Sequence, residues 1–271
     1  LSNIKPLAGR LALVTGASRG IGHATALALA KAGAHVIALA RTQGGLEELD
    51  DAVLNLTGEH ATLVPADITD GDGLDRLGGA LFERWGKLDI LVSNAGELGL
   101  ITPVGHLDPQ VWDRAVAVNM TATYRLIRSM DPLLRQAQAG RAIFVTSTAA
   151  IEPHAFWGPY AATKAGMEML VKVYADEVEH TNVRCTLLNP GPMRTRMRMS
   201  AFPGEDPADL TPPDAIGPLM VELARGDLEP PDRVDYRDWA KGRAEAALDD
   251  DFGAKLVAQE GSPQGDAEFD R

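Results

Sequence analysis

Tyr160 and Lys164 stand four residues apart in Tyr-Ala-Ala-Thr-Lys, and Ser147 lies thirteen residues upstream. On a helix, residues four apart share a face, so a phenol and an ammonium would meet there. A nearby cation favours the phenolate and is expected to draw the Tyr160 pKa below its ordinary value of about 10. A tyrosine tuned in that way can pass a proton near neutral pH. Taken alone, such a pair equally fits a solvated helix face. A second element gives it company: Thr15-Gly16-Ala17-Ser18-Arg19-Gly20-Ile21-Gly22, near the start of the chain. Gly16 permits a tight turn. Gly20 and Gly22 let backbone approach a pyrophosphate and let a helix approach a sheet, with the helix N-terminus supplying a favourable field. The plainer reading is a glycine-rich turn without a ligand.

These residues need a scaffold, and the hydrophobic pattern supplies one. Apolar runs of strand length at 11–14, 36–39, 61–64, 88–92, 142–146 and 183–188 alternate with helix-period stretches. The stretches run from the glycine turn to about 32, then over 46–56, 74–85, 111–134 and 160–179. Near-continuous apolar strands alternating with helices predict a parallel sheet covered on both faces, a doubly wound α/β fold. Each strand runs at its carboxyl end into Gly, Asn, Ser or Asp, the edge at which open α/β sheets bind ligands. Beyond Pro190 the pattern weakens: 208–213 reads as loop, 214–224 as a short helix, and 229–237 is rich in Pro and charge. The expected organisation is one domain over 1–240 and an acidic C-terminal tail over 241–271, partly helical or disordered.

The 271 residues suffice for one large α/β domain, and 45% hydrophobic with 24% charged residues fits a globular protein. No run is long enough to cross a bilayer, and no charged-then-apolar signal segment precedes the first strand. Cys185 is the single cysteine, which excludes an internal disulfide and a cysteine-rich metal site. A cytoplasmic setting is expected. The formal charge is −12, and residues 245–271, with eight acidic and two basic side chains, carry half of it. An acidic chain repels polyanions, so nucleic acid is disfavoured as a partner. The six histidines show no ligand spacing, so no metal is assigned.

In order and spacing, Thr15-Gly-x-x-x-Gly-Ile-Gly22, Asn94-Ala95-Gly96, Asn119, Ser147, Tyr160-x-x-x-Lys164 and Pro190-Gly191 resemble the short-chain dehydrogenase/reductase family, compact single-domain branch. The resemblance covers Leu11 to about Thr195 and implies a Rossmann-like three-layer α/β/α fold. It implies a catalytic tetrad of Asn119, Ser147, Tyr160 and Lys164. Tyr160 would exchange a proton with a carbonyl or alcohol oxygen while Ser147 bonds that oxygen. Lys164 would bind the nicotinamide ribose and depress the Tyr160 pKa, and Asn119 would hold a water of the proton relay. The alternative for Asn119 is a polar residue bonding backbone at a helix irregularity. Gly16, Ser18, Arg19, Gly20, Ile21, Gly22, Asn94, Ala95, Gly96, Tyr160, Lys164, Pro190, Gly191 and Thr195 would line the cofactor cleft. Asp67 and Ile68 would contact adenine, unless Asp67 is a simple turn residue. The stretch at 189–207 looks like an uncharacterised subgroup of bacterial oxidoreductases.

Cofactor choice turns on the end of the second strand, where an NAD site has an acidic residue for the ribose 2′-hydroxyl. Ala40-Arg41 occupies that place and Arg19 lies in the glycine turn, which suits the 2′-phosphate of NADP(H) over NAD(H). The family's final strand, followed by Asp-Gly-Gly, is not evident, so a seventh strand is expected to be absent, displaced or built from an unusual piece around 228–236. Substrate recognition is expected at 97–100, 151–157 and 193–202, where Met193, Met197, Met199 and Phe202 could form an apolar lid or simply pack. Arg194, Arg196 and Arg198 alternate there, read as a solvated face in preference to an anion site. His154 is expected near the pocket mouth. The function implied is NADP-dependent hydride transfer to or from a small-molecule carbonyl or alcohol, by a homodimer or homotetramer. A dimer would use the helices at 111–134 and 160–179. A non-catalytic NADP-sensing module is the alternative, and an epimerase or dehydratase of the longer branch is disfavoured by the glycine spacing.

Overall fold

The structure, a computed structural model, describes residues 5–246. Within them two compact units separate, one through Tyr236 and one from Arg237 onward. In the latter, residues 237–246 are helical. The rest of the expected acidic tail lies outside the described residues.

The first unit alternates strands and helices. They are β1 (Leu11–Thr15), α1 (Gly20–Lys31), β2 (His35–Ala40), α2 (Gln43–Thr57), β3 (Thr62–Pro65), α3 (Gly71–Trp85) and β4 (Ile90–Ser93). After them come α4 (Pro109–Val116), α5 (Ala122–Leu134), β5 (Gly140–Val145), α6 (Gly158–Val178), β6 (Val183–Asn189), α7 (Arg196–Ala201), α8 (Gly217–Ala224) and β7 (Arg233–Asp235). All seven strands pair in parallel, in the order β3-β2-β1-β4-β5-β6-β7. The chain walks outward from β1 to β3 and then crosses back to β4, so the order reverses between β1 and β4. A crevice opens at the carboxyl ends of strands at such a point.

Leu13, Ile37, Leu91 and Phe144 are fully buried in the sheet, and Leu126, Met130, Met167 and Val171 of α5 and α6 cover one face. On the other, α1 packs against α8 closely enough that a Cβ on Gly217 would lie 3.0 Å from that of Ala28. Each such leucine contributes about 2 kcal/mol by leaving water.

One expectation changes, and one alternative left open by the sequence is decided. The stretch at 111–134 is not one helix: Ala117–Thr121 winds as a π turn between α4 and α5. The extra residue of that turn re-aims the side chains within it. A seventh strand is present, and it is the unusual piece around 228–236. It spans only three residues, with Leu187, Leu188 and Asn189 opposite Arg233, Val234 and Asp235. Pro230 and Pro231 precede it and have no N–H to give a ladder, which delays the start of pairing.

At the amino edge of the sheet, Arg10 donates to the carbonyl oxygens of Ala224 and Ala139 and, at 3.1 Å, of Asp89. Arg141 donates to the carbonyls of Arg225, Gly140, Gly226 and Leu228 at 2.8–3.2 Å. The buried Asp89 carboxylate accepts the Leu11 amide at 2.9 Å, with the Lys87 ammonium also at 2.9 Å. These bonds tie the α8–β7 connection beneath β1, β4 and β5.

Candidate active site

The glycine turn joins β1 to α1 at the switch point. Gly16 and Gly20 take left-handed φ of 66° and 57°, which favours glycine. Gly22 admits no side chain, since a Cβ there would lie 2.3 Å from the Gly16 carbonyl oxygen. Asn94 closes the turn from β4: its Nδ2 donates to the Thr15 carbonyl at 2.9 Å, while the Thr15 hydroxyl accepts the Asn94 and Ala95 amides. The first-turn amides of α1 have no carbonyl within the helix to bond, and no acidic residue occupies that turn. This bare backbone cradle at a helix N-terminus fits a pyrophosphate. Arg19 is exposed beside it, Ile21 is half-buried, and Ser18 packs against Gly45 of α2. From the far side, Thr195 caps α7 by accepting the Arg198 amide at 3.2 Å and lies against Gly20. Pro190 is buried and Gly191 turns the chain at φ 67°.

The four side chains expected to carry the chemistry converge on the carboxyl ends of β4 and β5. Ser147 follows β5 in extended backbone, and its Oγ accepts the Ala149 amide at 3.2 Å. Its side chain lies near enough to the Tyr160 hydroxyl to favour the phenolate. One turn along α6, Lys164 is 5% exposed and its Nζ donates to the Val145 carbonyl at 2.8 Å. Gly96 lies against both Lys164 and Asn119, where a Cβ would sit 3.7 Å from Nζ and 3.5 Å from Oδ1.

The expected lowering of the Tyr160 pKa by Lys164 is not found. Burial pushes the phenol up, and the nearby Ser147 side chain pulls it back only in part. The Lys164 ammonium is 5.9 Å from the Tyr160 ring centre and aimed at a carbonyl. Burial pushes Lys164 itself down to about 8, against the pull of Glu168. Sharing a helix face brought the two side chains together without aiming the charge at the phenol oxygen.

Asn119 sits in the π turn. Its Oδ1 accepts the Glu97 amide at 2.8 Å, and its Nδ2 donates to the Glu97 carbonyl at 2.8 Å and to the Thr163 hydroxyl at 3.0 Å. The carboxamide thus clamps the loop after β4 onto α6, as the helix-irregularity alternative anticipates.

Asp67 forms a turn after β3, accepting the Thr69 amide and hydroxyl at 2.9 and 2.8 Å. Although partial burial pushes its carboxyl up, Thr69, Arg114 and Arg41 hold it below the usual carboxylate range. Arg41 is exposed, and its Nη1 lies 3.9 Å from Asp67 Oδ2. The place expected for a 2′-phosphate therefore does have a carboxylate beside it. Strand order could have shown this, because β2 and β3 are neighbours with Ala40 opposite Pro65. Arg114 of α4, which the sequence reading missed, bridges Asp67 at 3.5 Å and Glu97 at 3.2 Å. Ile68 packs in the buried core.

The mouth beyond Tyr160 is aromatic. Trp157 meets Tyr160 edge-on at 5.8 Å and lies 5.6 Å from Phe202 and 5.8 Å from His154. Phe156 takes φ 74°, an uncommon left-handed conformation for a bulky residue. Arg198 forks onto Glu205 at 2.6 and 2.7 Å and covers the Phe202 ring at 3.8 Å. It is thereby neutralised, while Arg194 and Arg196 are exposed. Met193 is buried and Met199 exposed, so the methionines divide between packing and surface.

Comparison with known proteins agrees in extent with this geometry. Residues 10–206 match the short chain dehydrogenase family model. The uncharacterized oxidoreductase YciK of Escherichia coli strain K12 is 37% identical over 220 residues, spanning 80% of this chain and 87% of that protein. The 2,3-dihydro-2,3-dihydroxybenzoate dehydrogenase of Bacillus subtilis strain 168 is 34% identical, spanning 76% and 78%. A crystal structure of a short chain dehydrogenase from Shigella flexneri 2a strain 301, complexed with NADP, is similar with a TM-score of 0.80. That pair shares 36% identity, over 82% of this chain and 94% of the other.

Proposed function

This chain belongs to the short chain dehydrogenase family of oxidoreductases, and from that premise we propose that it is an NADP-dependent enzyme interconverting a carbonyl and an alcohol. The observation that carries this reading is the convergence of Ser147 and the Tyr160 hydroxyl at the carboxyl edge, with Lys164 buried one turn along the same helix. When bound, the nicotinamide supplies or accepts the hydride. The glycine cradle would hold the pyrophosphate, Arg41 and Arg19 the 2′-phosphate, and Lys164 the ribose next to the nicotinamide.

In reduction, Tyr160 Oη gives its proton to the carbonyl oxygen as that oxygen gains charge. In oxidation it takes the alcohol proton. Burial keeps the phenol in its acid form at neutral pH but makes it a weaker acid, so the charge gained by the substrate oxygen must draw the proton across. Ser147 donates a hydrogen bond to the same oxygen, an interaction that strengthens as charge develops. Asn119 keeps the loop after β4 fixed to α6, so the wall facing Tyr160 does not drift. Trp157 and Phe202 favour a carbonyl carried on an apolar or aromatic frame. Exposed Tyr124, Met169 and Val173 on α5 and α6 support self-association through those helices. A buried, unpaired Cys185 suits the reducing cytoplasm.

The test is NADPH and NADH binding by the native protein and by Arg41→Ala and Tyr160→Phe, with turnover on a panel of aromatic and aliphatic ketones. Expected are a roughly 10-fold loss of NADPH affinity in Arg41→Ala with NADH unchanged, and turnover in Tyr160→Phe down by at least ~100-fold with binding intact. NADPH binding without turnover of any ketone by the native protein would favour the sensing alternative. Binding of neither cofactor would sink the reading.

A further inference from the structure

We propose that the last strand is part of the reaction centre's frame: Arg233 and Asp235 of β7 hold Ser147 in place by gripping, through one intermediary each, the two threonines that flank it. The proposal rests on the catalytic reading of Ser147 given above.

Successive strand residues face opposite ways, so positions 233 and 235 share one face of β7. Arg233 Nη1 donates to Glu168 Oε1, and the Thr146 hydroxyl donates to that same oxygen at 2.7 Å. Asp235 Oδ1 accepts from Asn189 Nδ2, which also donates to the Thr148 hydroxyl at 2.9 Å. Arg233 Nε and Asp235 Oδ2 are 3.8 Å apart, which closes the chain of contacts into a bracket around 146–148. Asn189 Oδ1 accepts the Gly191 amide at 3.1 Å and so ties the turn after β6 to the same bracket.

Simple packing does not account for these groups. Glu168 is 2% exposed and Thr146 is equally buried. A buried carboxylate is unfavourable without partners, and Glu168 has three: Thr146, Arg233, and Lys172 at 3.8 Å. Arg233 Nη2 is buried without a hydrogen-bond partner. Glu168 also lies one turn beyond Lys164 on α6, so a single carboxylate links the helix of the proton donor, the Ser147 segment and the final strand.

The test uses the full chain and the variants Arg233→Met, Arg233→Lys, Asp235→Ala and Thr146→Val. The last leaves the Glu168–Arg233 pair intact and guards against simple misfolding. Amide hydrogen exchange reads residues 146–150 against the glycine turn at 15–22. Turnover of the ketone panel is read as kcat against KM, with NADPH affinity alongside. Expected is exchange at 146–150 faster by about 10-fold in Asp235→Ala, Thr146→Val and Arg233→Met, with 15–22 unchanged. kcat should fall about 10-fold or more at unaltered NADPH affinity, and Arg233→Lys should recover most of both. Unchanged exchange at 146–150, or equal acceleration at 15–22, would overturn the proposal. A native protein that turns over no ketone would defeat the catalytic reading instead, while the exchange comparison still decides whether β7 holds the segment.

Discussion

At the amino edge of the sheet, Arg10 and Arg141 aim their guanidinium groups at backbone carbonyls from three neighbouring segments. At the carboxyl edge, Lys164 and Glu168 are as deeply buried as Arg141 and more so than the half-buried Arg10, and Lys164 lies against Gly96 at the strand ends where the glycine turn also sits. Burial lowers the pKa of the cations at both edges. The difference lies in what the buried charge is bonded to. The arginines satisfy carbonyls that would otherwise be stranded, so removing them should weaken the fold. Lys164 has one carbonyl partner and a large desolvation cost, so removing it should relieve the fold and end the chemistry. Buried charge alone does not mark a site; buried charge held at a cost at the carboxyl edge of a parallel sheet is a candidate for one.

The contrast would break most visibly in Lys164→Met, whose turnover should drop by at least ~100-fold. Its stability should move the other way. In the folded, cofactor-free protein Lys164 is pushed down to about 8 from an ordinary 10.5, so the unfolded chain binds more protons between those values. The penalty is fully present below pH 8 and is relieved as pH rises towards 10.5. Lys164→Met should therefore gain up to about 3 kcal/mol at pH 7, less about 1 for the lost bond to Val145, and little by pH 10. Thermal unfolding across that range would show it, and a variant less stable at pH 7 would contradict the contrast.

Arg10→Met is the converse. It should lose about 3 kcal/mol, because three carbonyl oxygens lose their donor. Its kcat, measured well below the melting transition, should stay within about two-fold of the native value. A large fall in kcat at normal stability would mean that the amino edge reaches the chemistry.

A third readout follows the same comparison from a residue that belongs to neither edge. Cys185 lies in β6, buried, with its thiol pushed up to about 12 by burial. Native labelling by a maleimide at pH 8 should be slow and should track opening of the fold. Arg10→Met should label faster by roughly the factor of its destabilisation, and Lys164→Met should not. Equal rates in both would erase the distinction.

Much of this was legible in the sequence, and the parts that were not have physical reasons. Strand β1, the glycine turn and the Ser147–Tyr160 interval are local patterns, and local patterns survive translation into structure. Strand β7 has a single apolar residue, Val234, after two prolines, so it has no periodicity to read; its place comes from pairing with β6. The π turn at Ala117–Thr121 contains no Gly or Pro to announce it. Glu168 could have been found, because it continues the i, i+4 series from Tyr160 through Lys164 onto a face that must be buried. The pairing of Arg41 with Asp67 needed strand order, and the aim of the Lys164 ammonium needed its rotamer.

The β7 contacts also bear on how the molecule comes into being. A chain grows from its amino end and can begin to fold as it emerges. A nascent chain halted between β6 and β7 would already hold the glycine cradle together with Asn119, Ser147, Tyr160 and Lys164. Glu168 and Asn189, however, would still lack Arg233 and Asp235. The order of synthesis thus completes the glycine cradle early, and the contacts linking Thr146 and Thr148 to the outermost strand only when that strand arrives.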